Sequence, residues 1–262
     1  MSSVHITTWG DAGPRVVLIH GGVQGSGVGG DRLYAAQKPL ASRGWQLLVP
    51  DRPGHGRTPA RGAADDAETD GEWAADLLGD GAHLVGHSFG GCVAVAAASR
   101  RPEVVRSLTL IEPAMQNLAM RDPQVWRFGV RAGRAIVARD PARRLARFSD
   151  LVGIPPEIGE RASPEEQARM GRALRRLKVP SKATLTRQLG ELRRHATPLL
   201  VVTGGWSPAF TAIGNAVAAT GGGVHRIIHS PHHFPHLISE GFNDVLHDFM
   251  TSGRSPESEV TP

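Results

Sequence analysis

The chain has 262 residues, 30 Lys/Arg against 25 Asp/Glu for a formal net charge of +5, and 40% apolar with 21% charged residues. These are ordinary globular values, and the length suits one large domain carrying an insertion, or two modest ones. No apolar run approaches the roughly 20 residues that cross a bilayer, Met1-Ser2-Ser3-Val4-His5 lacks the basic-then-apolar layout of a secretion signal, and a single cysteine, Cys92, excludes an internal disulfide framework. A cytoplasmic protein with no membrane partner is expected, and the Ala, Arg and Gly richness suits a bacterial source.

In chain order, Val4–Trp9 reads as an edge strand and Arg15–His20 as the first core strand. Leu33–Ser42 follows as a helix, then strand Trp45–Asp51, helix Asp66–Leu78, strand Ala82–Ser88, helix Gly91–Arg100 and strand Ser107–Glu112. After a long gap come strand Pro198–Gly204, helix Ala209–Ala219, strand Val224–His229 and helix His236–Met250. The strands are mostly continuous Val/Leu/Ile runs, as a parallel sheet covered on both faces requires. Their alternation with helices predicts a doubly wound α/β domain.

The gap from Glu112 to Pro198 is too long for a plain crossover. Its helical pattern is punctuated by Asp122-Pro123, Asp140-Pro141, Pro155-Pro156, Ser163-Pro164 and Val179-Pro180, each an expected helix start. It reads as a lid of about four helices over the carboxyl edge of the sheet. The expected organisation is therefore a core of residues 1–113 and 197–250, a lid of residues 114–196 and a disordered tail of residues 251–262. Charge is uneven: residues 121–194 hold 18 Lys/Arg against 8 Asp/Glu. Solvent-facing arginines explain most of this, with steering of an anionic substrate as the other reading. Nucleic acid is not an expected partner, because no aromatic interleaving or known module accompanies the arginines.

The most informative stretch is Leu84-Val85-Gly86-His87-Ser88-Phe89-Gly90-Gly91. A Gly-x-Ser-x-Gly pattern between a strand and a helix is the context of a nucleophile elbow, in which Ser88 sits on a sharp, strained turn. Side chains at Gly86 or Gly90 would collide with neighbouring backbone. A serine hydroxyl is a weak nucleophile and needs an adjacent base, for which His225, His229, His232, His233 and His236 are near the C-terminal end. A metal site at His232, His233 and His236 is not expected, since no carboxylate or cysteine accompanies them, and no cofactor is indicated.

Together, His20-Gly21-Gly22, Asp51-Arg52-Pro53-Gly54-His55-Gly56-Arg57, the Ser88 elbow and Pro231-His232-His233-Phe234-Pro235-His236 resemble the α/β-hydrolase superfamily in order and spacing. The resemblance implies that fold, with the helical lid inserted after the strand ending at Glu112, counted as the sixth core strand. It implies His233 as base, because His-Phe-Pro stands before the final helix, with His232 and His236 as fallbacks. The usual position of the triad acid is vacant: Thr203–Gly223 contains no Asp or Glu, and Trp206-Ser207-Pro208 stands there instead. Some members, haloalkane dehalogenases and zearalenone-type lactonases among them, carry the acid one strand earlier, which implies Glu112. Oxyanion donors are implied at Phe89 and at Gly22 or Val23. Asp51, Arg52, His55 and His87 are expected to be architectural, and Cys92 to pack against the sheet.

Met115, Leu118, Trp126, Phe128, Phe148 and Trp206 are the principal substrate-contact candidates, with Met120, Ile136 and Leu151 as further lid positions. The resemblance implies hydrolysis of a small carboxylic ester or lactone through an acyl-enzyme with a Ser-His-Glu triad. The alternatives are a C–C bond hydrolase, a cofactor-free haloperoxidase-like enzyme, a non-hydrolytic lyase or cyclase, and a ligand-binding member. The oligomeric state stays open, a homodimer being compatible with the sequence.

Overall fold

The computed structural model describes residues 4–155, 162–239 and 241–252. Seven strands form one sheet: β1 (Ile6–Trp9), β2 (Arg15–Ile19), β3 (Gln46–Pro50), β4 (Ala82–His87), β5 (Val105–Ile111), β6 (Leu199–Thr203) and β7 (Val224–Ile227). Their spatial order is β1-β3-β2-β4-β5-β6-β7. β1 pairs antiparallel with β3, and every other pairing is parallel.

The strands bury both faces. On β2, Val17 and Ile19 join one apolar cluster while Val16 and Leu18 join the other, the period-two alternation of a pleated strand. The first cluster is completed by helices α1 (Ala67–Asp76) and α2 (Phe89–Arg100), and the second by Phe242, Leu246 and Phe249 of the C-terminal helix. Of the predicted helices, Leu33–Ser42 is instead a 3-10 segment, Ala35–Arg43, with Pro39 inside it; proline there removes a donor that a regular α-helix would use. The predicted His236–Met250 helix is two pieces, a turn at Pro235–Ile238 and a helix at Phe242–Ser252, separated around Gly241 with φ +77°.

The insertion follows β5, the fifth strand of the described residues rather than a sixth, because a single strand precedes β2. It contains α3 (Pro123–Ile136), α4 (Pro141–Leu151), α5 (Pro164–Leu174) and α6 (Lys182–Arg194). Asp122, Asp140 and Ser163 cap the first three through their side chains, as the sequence predicts. The expected start at Val179-Pro180 falls instead at Ser181, which caps α6. The Pro155-Pro156 start lies partly outside the described residues. α3, α4 and α5 are stitched by the buried Arg144, which donates to the carbonyls of Ile136 (2.7 Å), Ala138 (2.6 Å) and Gly171 (2.7 Å). α6 differs from them: Leu185, Leu189 and Leu192 enter the first apolar cluster, and it packs on α2 and the helix at Pro208–Gly221 rather than over the site. Helix α7 (Pro208–Gly221) joins β6 to β7, and α8 (Phe242–Ser252) closes the second face, carrying Thr251 and Ser252 of the expected tail; residues 253–262 lie outside the described residues. Among the described residues no helix is long and apolar enough to cross a membrane.

Candidate active site

Parallel neighbours β4 and β5 end in register, His87 beside Ile111, so Ser88 and Glu112 emerge side by side at the sheet's carboxyl edge. Both have left-handed backbone, φ 53° at Ser88 and φ 45° at Glu112. Such conformations cost about 1–3 kcal/mol each in a non-glycine residue, and the ladder imposes them here: the Ser88 N–H donates to Ile111 O (2.9 Å) and the Glu112 N–H to Val202 O (2.8 Å). The elbow glycines are required for contact. A methyl on Gly86 would lie 2.6 Å from Gly90 O, and one on Gly90 would strike the carbonyls of Ile19 and His20.

Ser88 and His233 line one apolar cavity of about 380 Å³. Phe128, Ile136, Phe148 and Met170 of the lid form much of its cover, with Val23 and Phe210 below. Glu112 is fully buried behind His233, whose Nδ1 lies 3.6 Å from Glu112 Oε2. Each of those two atoms is buried and, among the described residues, has no other hydrogen-bond partner. A buried acceptor and a buried ring nitrogen left facing each other are complementary, and a shift of a few tenths of an ångström makes the bond. The other carboxylate oxygen is held firmly: Glu112 Oε1 accepts from the Gly204 N–H (2.6 Å) and from the Trp206 indole N–H (3.1 Å). The strand end that carries no acid in the sequence thus supplies donors to the acid of its neighbour.

The fallback bases are engaged elsewhere. His236 Nε2 donates to Leu33 O (3.1 Å), and His232 Nδ1 accepts from the Phe234 N–H (3.2 Å). His87 Nε2 donates to the His233 backbone carbonyl (2.9 Å), which fixes the loop carrying His233. Burial holds His87 well below the usual histidine range, helped by His236 and His233 nearby, so it serves as a neutral donor.

The loop after β2 is held from behind. His20 Nδ1 donates to Gly21 O (2.7 Å) while its Nε2 accepts from the Arg52 N–H (2.9 Å), which fixes a neutral tautomer. Burial, with His55 and Arg52 alongside, keeps His20 well below its ordinary value. The Arg52 guanidinium is fully buried, pairs with Asp65 (2.6 Å) and Asp70 (3.2 Å), and reaches Gly22 O (3.3 Å). It also stacks over Phe89 at 4.7 Å. Because a trans peptide sets its C=O and N–H on opposite sides, drawing the Gly21 and Gly22 carbonyls towards His20 and Arg52 turns the Gly22 and Val23 amides the other way. Gly22, Val23 and Phe89 all line the cavity. One arginine therefore braces both the loop amides and the first residue of α2, so the architectural role expected of Arg52 extends to the site itself.

The substrate-contact candidates divide. Phe128 and Phe148 line the cavity. Met115 does not: the chain turns at Pro113–Met115 and seats it, fully buried, in the sheet's first cluster, against which Leu118 also packs. Trp126 is 57% exposed and lines an outer groove, which Trp206 also borders while donating to Glu112. Cys92 is buried, donates to Ala114 O (3.4 Å), and has its thiol pushed up to about 12 by burial, so it is no nucleophile. Sequence reasoning misses the part Trp206 plays in holding Glu112; the pairing of an acid-free β6 end with a hydrogen-bonding aromatic is the signal that could have found it.

Comparison with known proteins agrees with this architecture. Pimeloyl-[acyl-carrier protein] methyl ester esterase of Aromatoleum aromaticum (strain DSM 19018 / LMG 30748 / EbN1) is 34% identical over 146 residues, 53% of this chain and 55% of that protein. 2-Hydroxy-6-oxo-6-phenylhexa-2,4-dienoate hydrolase of Burkholderia cepacia is 32% identical over 127 residues, 46% of this chain and 43% of that protein. The chain thus matches about half the length of these curated relatives. Among solved structures, the one described as Est816, an N-acyl homoserine lactone degrading enzyme, superposes with a TM-score of 0.67 at 20% identity, covering 94% of this chain and 96% of that one. Residues 14–151 match the family described as the alpha/beta hydrolase fold. With the parallel sheet, the strained serine turn and this match over more than half its length, the chain belongs to the α/β-hydrolase family.

Proposed function

We propose that the protein is a serine hydrolase of small carboxylic esters or lactones, with Ser88 as nucleophile, His233 as base and Glu112 as the acid that orients it. The observation that carries this reading is the line from a strained serine in an apolar cavity, through His233, to a buried carboxylate facing its Nδ1 at 3.6 Å. Ser88 Oγ attacks the carbonyl carbon while His233 Nε2 takes its proton. The amides of Phe89 and of Gly22 or Val23 receive the oxyanion, each such donor being worth about 3 kcal/mol in the transition state. His233 then protonates the departing alkoxide, leaving an acyl-Ser88 ester. Water, deprotonated by His233, attacks that ester, and Ser88 recovers the proton. Glu112 keeps Nδ1 protonated and stabilises the imidazolium formed in both halves.

Cleavage of a C–C bond flanked by carbonyls would use the same groups, and the 32% identity to the dienoate hydrolase over 127 residues keeps it as the second reading. The decisive experiment is intact-mass analysis after exposure to a fluorophosphonate. Single labelling that is lost in Ser88→Ala and slowed in Glu112→Gln is expected, and an unlabelled wild type would overturn the serine-hydrolase assignment. Matched ester and 1,5-diketone dienoate substrates then separate the two readings.

A further inference from the structure

Helix α3 has two differently equipped faces. Phe128, Ala132 and Ile136 repeat at one-turn intervals and line the Ser88 cavity. On an adjoining stripe, Arg127, Arg131 and Arg134 line a separate groove of about 660 Å³. Its other walls are Asp150 and Leu151 of α4 and the Trp206–Ala209 segment that opens α7. Phe128 borders both spaces, and only an aromatic layer divides them: Phe128 meets Phe210 at 5.4 Å, and Phe210 meets Trp206 at 5.5 Å and His233 at 4.8 Å.

The three guanidiniums repel one another across one helix face, and among the described residues none has an ion pair or hydrogen bond. Arg144 of α4 shows the contrast, with its guanidinium satisfied by carbonyls of the lid. Asp150 is the one carboxylate among the described lining residues. Beside the arginines, the Trp126 indole lies 57% exposed in the groove. Unneutralised cations next to an open aromatic face and apolar Leu151 and Pro208 suit a ligand that is apolar along its length and anionic at its end.

We propose that this groove holds the carboxylate or phosphate end of an amphiphilic ester whose carbonyl reaches Ser88, the connecting chain displacing the Phe128 ring from Phe210 to cross the layer between the two spaces. The proposal rests on the serine-hydrolase reading and names its substrate class: an ester with a remote anionic group on the acyl side. It also gives the basic charge of residues 121–194 a local purpose, since the groove faces the catalytic cavity across one layer of side chains.

Two readouts test it. Trp126 and Trp206 both line the groove, so octyl phosphate and octanoate, titrated separately, should quench tryptophan fluorescence saturably. Arg131→Gln/Arg134→Gln should weaken that binding about tenfold, whereas Arg139→Gln/Arg143→Gln, exposed lid residues outside the groove, should leave it unchanged. In parallel, mono-4-nitrophenyl esters of α,ω-dicarboxylic acids of increasing length should show a KM about tenfold below that of their methyl-terminated counterparts. The first double variant should abolish the difference without changing kcat or the KM of the neutral esters. The phosphate and carboxylate arms report which anion the groove prefers. Equal KM for charged and neutral esters without quenching would overturn the proposal, as would equal losses in the control variant. Saturable quenching with no ester hydrolysed would remove the hydrolase reading and leave the anion site standing.

Discussion

Acidification should unfold this protein well above the pH at which its carboxylates titrate, because its histidines are buried as neutral groups. His20, His55, His87 and His236 are each at most 2% exposed. Burial is the main force lowering all four, with Arg52 acting on His20 and His55 and neighbouring imidazoles on His87 and His236; His55 and His236 fall to about 3. In the unfolded chain each returns to about 6.5 and takes up a proton that the folded chain refuses. The stability these groups lend is therefore complete above pH 6.5 and is lost as pH falls from there towards their folded values. At pH 5 His55 and His236 each contribute a loss of about 2 kcal/mol, and His20 and His87 add to it in the same direction. Urea unfolding followed by circular dichroism at pH 7.5, 6 and 5 measures this. The expected midpoint falls steeply over that range, with proton uptake on unfolding approaching about four at pH 5. A midpoint that is flat from pH 7.5 to 5 would refute the claim that these imidazoles are neutral in the fold.

Three substitutions probe the site. Glu112→Gln keeps the shape but removes the charge facing His233 Nδ1; kcat should fall by about a hundredfold or more with little change in KM, measured on a chromogenic ester. Trp206→Phe removes one of the two donors to Glu112 Oε1 while preserving the aromatic wall; a kcat loss of about three- to tenfold is expected, and a shift of the acid limb of the kcat profile distinguishes it from simple loss of packing. Arg52→Lys retains a cation but cannot bridge Asp65, Asp70 and the Gly22 carbonyl together, so stability should drop by about 3 kcal/mol, or about 10 °C in Tm by differential scanning calorimetry. An unchanged Tm would show that the buried network is dispensable.

What can be read from the sequence is what backbone geometry writes locally. A serine turn squeezed between a strand and a helix needs glycine where carbonyls approach, and Gly86 and Gly90 announce this in the residue pattern itself. Parallel strands buried on both faces announce themselves as apolar runs, and Asp122, Asp140 and Ser163 mark helix starts because capping is a three-residue interaction. What cannot be read depends on partners distant in the chain. Met115 is as apolar as Phe128, yet one packs under α2 and the other faces the cavity, a difference set by the turn after Pro113. An amphipathic helix carries its arginines at the same spacing whether they meet bulk solvent or a groove, so sequence alone does not separate the Arg127–Arg131–Arg134 stripe from ordinary solvated arginine. The same holds for α6, whose pattern resembles its lid neighbours although it packs against α2 and α7.

The vacant acid position illustrates how the site is shared between strands. A carboxylate at the end of β5 must still reach His233, which the loop after β7 carries back to His87 at the end of β4, and it must do so without exposing a charge to an apolar interior. Ion pairing is not how this is solved: Glu112 is fully buried, and its described partners besides His233 are the Gly204 amide and the Trp206 indole. Two N–H donors hold Oε1 and leave Oε2 aimed at Nδ1. An aspartate at the end of β6 would occupy the space that Gly204 and Trp206 use to make those bonds. Adding such a residue as a second carboxylate beside Glu112 would set two like charges in one buried pocket, and one of them would take up a proton. On the proposed triad, Gly-Gly-Trp at the end of β6 and Glu at the end of β5 work as one arrangement, and exchanging either part alone should cost activity.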